Sequence, residues 1–253
     1  MPTDKPLQDR VAVITGASRG LGRAIALALG EQGAVLALLA RDRVRLESVV
    51  GEARAMGVAA ECLVCDVTAE NQVAAVRDRI RERFGHVHIL VNNAGTNVRK
   101  PITEFTWAEW RQVLDTSLTG AFLLCRALIP LMQGAGYGRI LNLTSIMSHV
   151  ALAGRSAYAA SKAGLLGFTK ALALELAPSG ITVNGISPGP VATEMNQPIL
   201  ANPALHEQFT SRIPLGRWGT ETEVARLAVY LCSAEAGWIT GTDVLVDGGW
   251  TAQ

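Results

Sequence analysis

Apolar residues along this chain fall into two alternating patterns: short unbroken runs of Val, Ile, Leu and Ala, and longer stretches where they recur every three or four positions. The first run, 10–15, stops at Gly16, as a buried parallel strand does on entering a turn. A helix is predicted next over 20–32, because Leu21, Ala24, Ile25, Ala28 and Leu29 share one face. Further strands are predicted at 34–40, 58–65, 87–91, 139–143, 182–186 and 243–246, and helices at 42–56, 69–84, 106–132 and 156–177. Strands alternating with crossover helices select an α/β fold: one doubly wound parallel sheet with helices on both faces, as a single domain over 1–253. Only 189–219, rich in proline and short of periodicity, reads as a loop or lid.

Composition narrows the classes. Of 253 residues, 49% are apolar and 18% charged, enough apolar material for a large core and too much for a disordered chain. Lys plus Arg is 23 and Asp plus Glu 22, a formal balance of +1, so no nucleic-acid partner is expected. Apolar runs such as 34–40 are far shorter than a bilayer span, so no membrane location is expected. Charged residues and prolines in 1–10 argue against a leader segment. The four cysteines, Cys62, Cys65, Cys125 and Cys232, are too scattered for a disulfide framework and fit a reducing cytoplasm. Cys62 and Cys65 flank two residues of a predicted strand and would point to opposite faces. No metal site is expected.

Gly16, Ser18, Arg19, Gly20, Leu21 and Gly22 form a glycine-rich turn between the first strand and the first helix, where backbone N–H groups can hold a pyrophosphate. The spacing departs from G-x-G-x-x-G. The second strand ends Leu39-Ala40-Arg41. Arg41, helped by Arg19, could offer a guanidinium to a ribose 2′-phosphate, which favours NADP while leaving NAD possible. Asp42 comes one residue late for a ribose contact and reads as a helix N-cap.

With these residues the chain resembles the short-chain dehydrogenase/reductase family over its full length. Thr15 to Gly22 matches the family's T-G-x-x-x-G-x-G turn, Asp66-Val67 its adenine-side pair, and Asn92-Asn93-Ala94-Gly95 its strand-stabilising motif. Ser145 with Tyr158-Ala159-Ala160-Ser161-Lys162 matches the catalytic serine and Y-x-x-x-K, and Pro188-Gly189, Val191 and Thr193 the nicotinamide-side loop. The resemblance implies a Rossmann-like fold, and catalysis by Ser145, Tyr158 and Lys162. It further implies cofactor contacts at Asn93, Ala94, Gly95, Tyr158 and Lys162, and a homotetramer built on the long helices near 106–132 and 156–177. Segments 99–105, 212–219 and 246–250 resemble gluconate 5-dehydrogenases and 2-deoxy-gluconate 3-dehydrogenases, and acyl-carrier-protein ketoreductases share much of them.

The chemistry expected is hydride transfer between a secondary alcohol and a ketone, favouring a gluconate-type sugar acid. A 3-oxoacyl-thioester reductase or broad carbonyl reductase is the alternative, and a non-catalytic NADP sensor a remote one. Tyr158 would exchange the proton with the carbonyl oxygen. A free phenol has a pKa of about 10, so work near neutrality needs a shift of roughly three units, about 4 kcal/mol. Lys162, one helical turn away, is expected to supply it. Ser145 would hold the substrate oxygen. Ser117 stands where the family usually has an asparagine supporting a water chain to the lysine, so a water is expected to fill the gap between them. Arg99 and Lys100 are expected to pair with a substrate carboxylate, and His149 is a further candidate contact. Trp107 and Trp110 are expected in a core or subunit interface.

Overall fold

A computed structural model describes residues 5–253; the first four residues of the segment read above for a leader lie outside the described residues. Seven parallel strands form one sheet: β1 (Val11–Thr15), β2 (Val35–Ala40), β3 (Ala60–Val64), β4 (Ile89–Asn92), β5 (Gly138–Leu143), β6 (Ile181–Pro188) and β7 (Asp243–Val246). They lie in the order β3-β2-β1-β4-β5-β6-β7. β1, β4 and β5 are buried from end to end, which is why they read as continuous apolar runs.

Helices cover both faces. α1 (Gly20–Glu31), α2 (Arg43–Ala55) and α9 (Glu221–Cys232) close a core containing Ile14, Ile25, Leu36, Leu46, Val224 and Leu231. α3 (Glu70–Phe84), α5 (Gly120–Leu128) and α6 (Ser156–Leu176) close the other, around Val13, Leu39, Val76, Leu90, Leu124 and Leu172. Neighbouring strand residues alternate between the two clusters, as the pleat requires. Cys62 packs on the first and Cys65 on the second.

Three elements differ from the sequence reading. The helix expected over 106–132 is α4 (Trp107–Leu114), a π-turn at Asp115–Thr119, α5 and a closing 3-10 turn at Ile129–Leu131. This stretch, Trp107–Leu131, has the length and composition of a membrane span, with a mean hydropathy of 1.4. No unbroken apolar run revealed it, because small and polar residues interrupt it; in the fold it packs on α3 and α6. Helix α9 was not anticipated, although Thr220 and Glu223 form a reciprocal capping box at its start. The segment 189–219 is partly helical, with α7 (Gln197–Leu200) and α8 (Pro203–Thr210).

Candidate active site

A cleft of about 900 Å3 opens at the carboxyl ends of the strands, where the sheet order reverses between β1 and β4. Gly16 and Gly20 take positive φ values of 64° and 58°, a backbone reserved in practice for glycine. A Cβ on Gly22 would collide with the Gly16 carbonyl and with Asn93 Nδ2. Asn93 locks the turn by donating from Nδ2 to the carbonyls of Thr15 (2.9 Å) and Gly16 (3.2 Å). Thr15 Oγ1 in turn accepts the N–H groups of Asn93 and Ala94. The N-terminus of α1 has no side-chain cap and no acid in its first turn, so its free N–H groups and positive dipole end can take a phosphate. A cradle with no room for a side chain at Gly16 or Gly22 fits a dinucleotide.

Every residue expected to touch the cofactor lines this cleft: Gly16, Ser18, Arg19, Gly20, Leu21, Gly22, Arg41, Asp66, Val67, Asn93, Ala94, Gly95, Tyr158, Lys162, Pro188, Gly189, Val191 and Thr193. Arg41 is exposed, with Asp66 Oδ2 3.8 Å away. Asp42 caps α2, accepting the Arg45 N–H at 3.1 Å. Arg45 also lines the cleft and shares Glu194 with Arg19, at 3.0 and 2.7 Å.

Deeper in the cleft, Ser145, Tyr158 and Lys162 come together. Ser145 lies two residues beyond the end of β5, its Oγ accepting the Met147 N–H at 3.1 Å. Tyr158 and Lys162 lie one turn apart on α6, the lysine Nζ 5.6 Å from the phenol ring centre. Lys162 is 4% exposed and donates to the Leu143 carbonyl; burial brings its pKa down to about 8, with Asp243 pulling it back up. Burial raises the Tyr158 phenol above its ordinary value. The Ser145 hydroxyl draws it down, followed by Arg155 and Arg99. The guanidiniums of Arg155 and Arg99 thus join the lysine one helical turn away as positive charges around the phenol, while the lysine ammonium also donates to the Leu143 carbonyl.

Ser117, on the π-turn, is 2% exposed with no hydrogen-bond partner for its Oγ. It lies behind Gly95, where an added Cβ would be 3.4 Å from Ser117 Oγ and 3.6 Å from Lys162 Nζ. An unsatisfied hydroxyl on the lysine side of the cleft is the arrangement a bridging water would complete.

Two expected substrate residues lie elsewhere. Lys100 does not line the cleft; its Nζ is 2.6 Å from Glu109, because the capping-box glutamate of α4 is the nearest acid. His149 is drawn away to Asp243 at 2.7 Å. Arg99 does line the cleft, donating to Asn196 Oδ1 at 3.0 Å. The residue missed was Arg155, immediately before α6, which also lines it. Its position three residues before Tyr158 was the available signal. Burial, then the like charge of Arg99, hold Arg155 below its ordinary pKa. Neither arginine has a carboxylate within 4.0 Å among the described residues. Phe209, Trp218 and Trp250 also line the cleft, packed in a third apolar cluster with Ile146, Met147 and Ile213.

A family model described as Enoyl-(Acyl carrier protein) reductase matches residues 16–251. The 3-oxoacyl-(acyl-carrier-protein) reductase FabG of Pseudomonas aeruginosa is 40% identical, over 96% of this chain and 98% of that protein. A gluconate 5-dehydrogenase from Burkholderia cenocepacia, solved with NADP and tartrate, superposes with a TM-score of 0.94 at 34% identity, covering 99% of this chain and 98% of that one. A short-chain type dehydrogenase/reductase from Mycobacterium marinum gives 0.93 at 37% identity, with 99% of both chains covered. The glycine cradle and the grouping of Ser145, Tyr158 and Lys162 thus belong to a fold shared along the whole sequence, and the chain is a member of the short-chain dehydrogenase/reductase family, an NAD(P)-dependent oxidoreductase acting on CH–OH and carbonyl groups.

Proposed function

We propose that this enzyme uses NADP(H) to interconvert a secondary alcohol and a ketone on a gluconate-type sugar acid. The observation that carries the reading is the pair of guanidiniums, Arg99 and Arg155, that face Tyr158 without an acidic partner among the described residues. Two cations converging in a partly buried cleft repel one another, and a substrate carboxylate would relieve that cost while aligning the neighbouring carbonyl with the phenol. Tyr158 passes its proton to the carbonyl oxygen, Ser145 holds that oxygen, and Lys162 would bind the nicotinamide ribose and steady charge on the phenolate. A nicotinamide held in this cleft would supply or take the hydride. Arg19, Arg41 and Arg45 at the cleft mouth support NADP over NAD, since an adenosine 2′-phosphate needs cations.

A 3-oxoacyl thioester reductase is the second reading, favoured by the apolar wall of Phe209, Trp218 and Trp250 and by the likeness to the Pseudomonas enzyme. A steady-state survey of NADPH and NADH against 5-ketogluconate, other keto sugar acids, acetoacetyl thioesters and neutral ketones separates the two. Preference for a thioester overturns the sugar-acid assignment, and tenfold preference for NADH overturns the role of the arginines at the mouth. Four free thiols support a cytoplasmic setting. The homotetramer belongs to the same reading, supported by Trp107, Phe122 and Leu174, 72%, 44% and 81% exposed on α4, α5 and α6. Light scattering giving one chain per particle would remove it.

A further inference from the structure

A buried carboxylate lies behind the catalytic segment, outside the cleft lining. Asp243 opens β7, and its side chain is 3% exposed. Its register partner on β6 is Gly185, where any Cβ would collide with Asp243 Oδ1 and stand 3.2 Å from Thr144 Oγ1. The sheet therefore holds a pocket shaped for a carboxylate. Three donors converge there: Thr144 Oγ1 on Oδ1 at 2.6 Å, and Ser187 Oγ and His149 Nε2 on Oδ2, each at 2.7 Å. Thr144 Oγ1 is also 2.7 Å from the Ile186 carbonyl, so its single proton is shared between two acceptors, while Ser187 and His149 each have a proton to give to Oδ2.

Thr144 and His149 stand on either side of Ser145, one residue before it and four after. The same carboxylate thus ties both ends of the segment that presents Ser145 to the far edge of the sheet. Between these tethers Ser145 caps the short 3-10 turn Ile146–Ser148, which leaves little freedom for its hydroxyl. Lys162 is bound through Leu143, the residue next to Thr144, and Asp243 is the acid whose charge opposes the lysine's loss of its proton.

We propose that Asp243 is a positioning residue for the reaction, its carboxylate clamping Thr144 and His149 so that Ser145 faces Tyr158. The proposal rests on the alcohol–ketone reading above, and wild-type turnover of a ketone tests that reading before any variant is made. Replacement by asparagine keeps the size but substitutes an NH2 for one acceptor oxygen and removes the negative charge, so at least one of Thr144, Ser187 and His149 must turn round to accept and the charge-assisted clamp is weakened.

The experiment measures kcat and KM for Asp243→Asn and His149→Ala. For Asp243→Asn, kcat is expected to fall at least tenfold while KM for NADPH stays within twofold, because the glycine turn that holds the cofactor is untouched. The alkaline limb of kcat/KM is expected to move to lower pH, since Lys162 loses its supporting charge. Tyr158 faces that lysine, Arg99 and Arg155 face the phenol, and His149 faces Asp243; all four keep their identity in this variant. Wild-type kcat, an unmoved limb, or a fall in kcat matched by an equal loss of NADPH affinity would overturn the proposal. Should Asp243→Asn fail to fold, His149→Ala decides alone. It removes one tether from a half-exposed side chain and should lower kcat about threefold or more with the melting temperature and KM for NADPH unchanged; an unchanged kcat would overturn the clamp.

Discussion

At the scale of single residues, proton transfer turns on the opposite shifts of Tyr158 and Lys162. Burial keeps the phenol protonated and brings the lysine down to about 8. As pH rises, the lysine loses its charge first, while the tyrosine still has a proton to give. The kcat/KM for ketone reduction, which reports groups of the free enzyme, is therefore expected to fall above about pH 8. A flat profile from pH 7 to 10 would count against it. Tyr158→Phe removes the exchangeable proton and should lower kcat by roughly 10²- to 10⁴-fold, with NADPH still bound by the glycine turn in a fluorescence titration. Arg155→Ala should raise KM for an acidic substrate by about tenfold or more, the value of a charge-assisted contact, and leave KM for a neutral ketone alone. Equal changes for both substrates would show that Arg155 only supports the fold.

At the scale of elements, the π-turn at Asp115–Thr119 and helix α9 mark where pattern reading stopped. A single inserted residue in the helical hydrogen-bond ladder leaves the apolar spacing almost intact, so α4 and α5 read as one helix over 106–132. The insertion nevertheless buries Ser117 beside Gly95. With a water spanning to Lys162, Ser117→Asn should change kcat by less than tenfold; a rise of a hundredfold would show that serine leaves the proton path broken. Helix α9 carried a legible capping box at Thr220 and Glu223, yet the looser segment before it masked its start. Thr220→Ala should cost about 1 kcal/mol, a drop of roughly 2–4 °C in the melting temperature by calorimetry for a chain of this size.

At the scale of the whole molecule, the sheet brings the ends of β1, β4, β5 and β6 to one rim, so residues as far apart as Gly16 and Thr193 line one cleft. The glycine turn, the strand-end Ser145 and the Tyr158–Lys162 spacing were readable in the chain because each depends on local geometry: a positive φ, a strand terminus, one helical turn. The alternation of strands and helices likewise carried the fold class, since burial on both faces imposes continuous apolar strands. What lay beyond a linear reading were the partners chosen across the sheet. Lys100 turned to Glu109 and His149 to Asp243, while Arg155 was left facing Arg99. A charged side chain reaches several ångströms and goes to whichever opposite charge or open cleft the packing sets nearest, and that neighbour is fixed by the three-dimensional layering of strands, not by position along the chain.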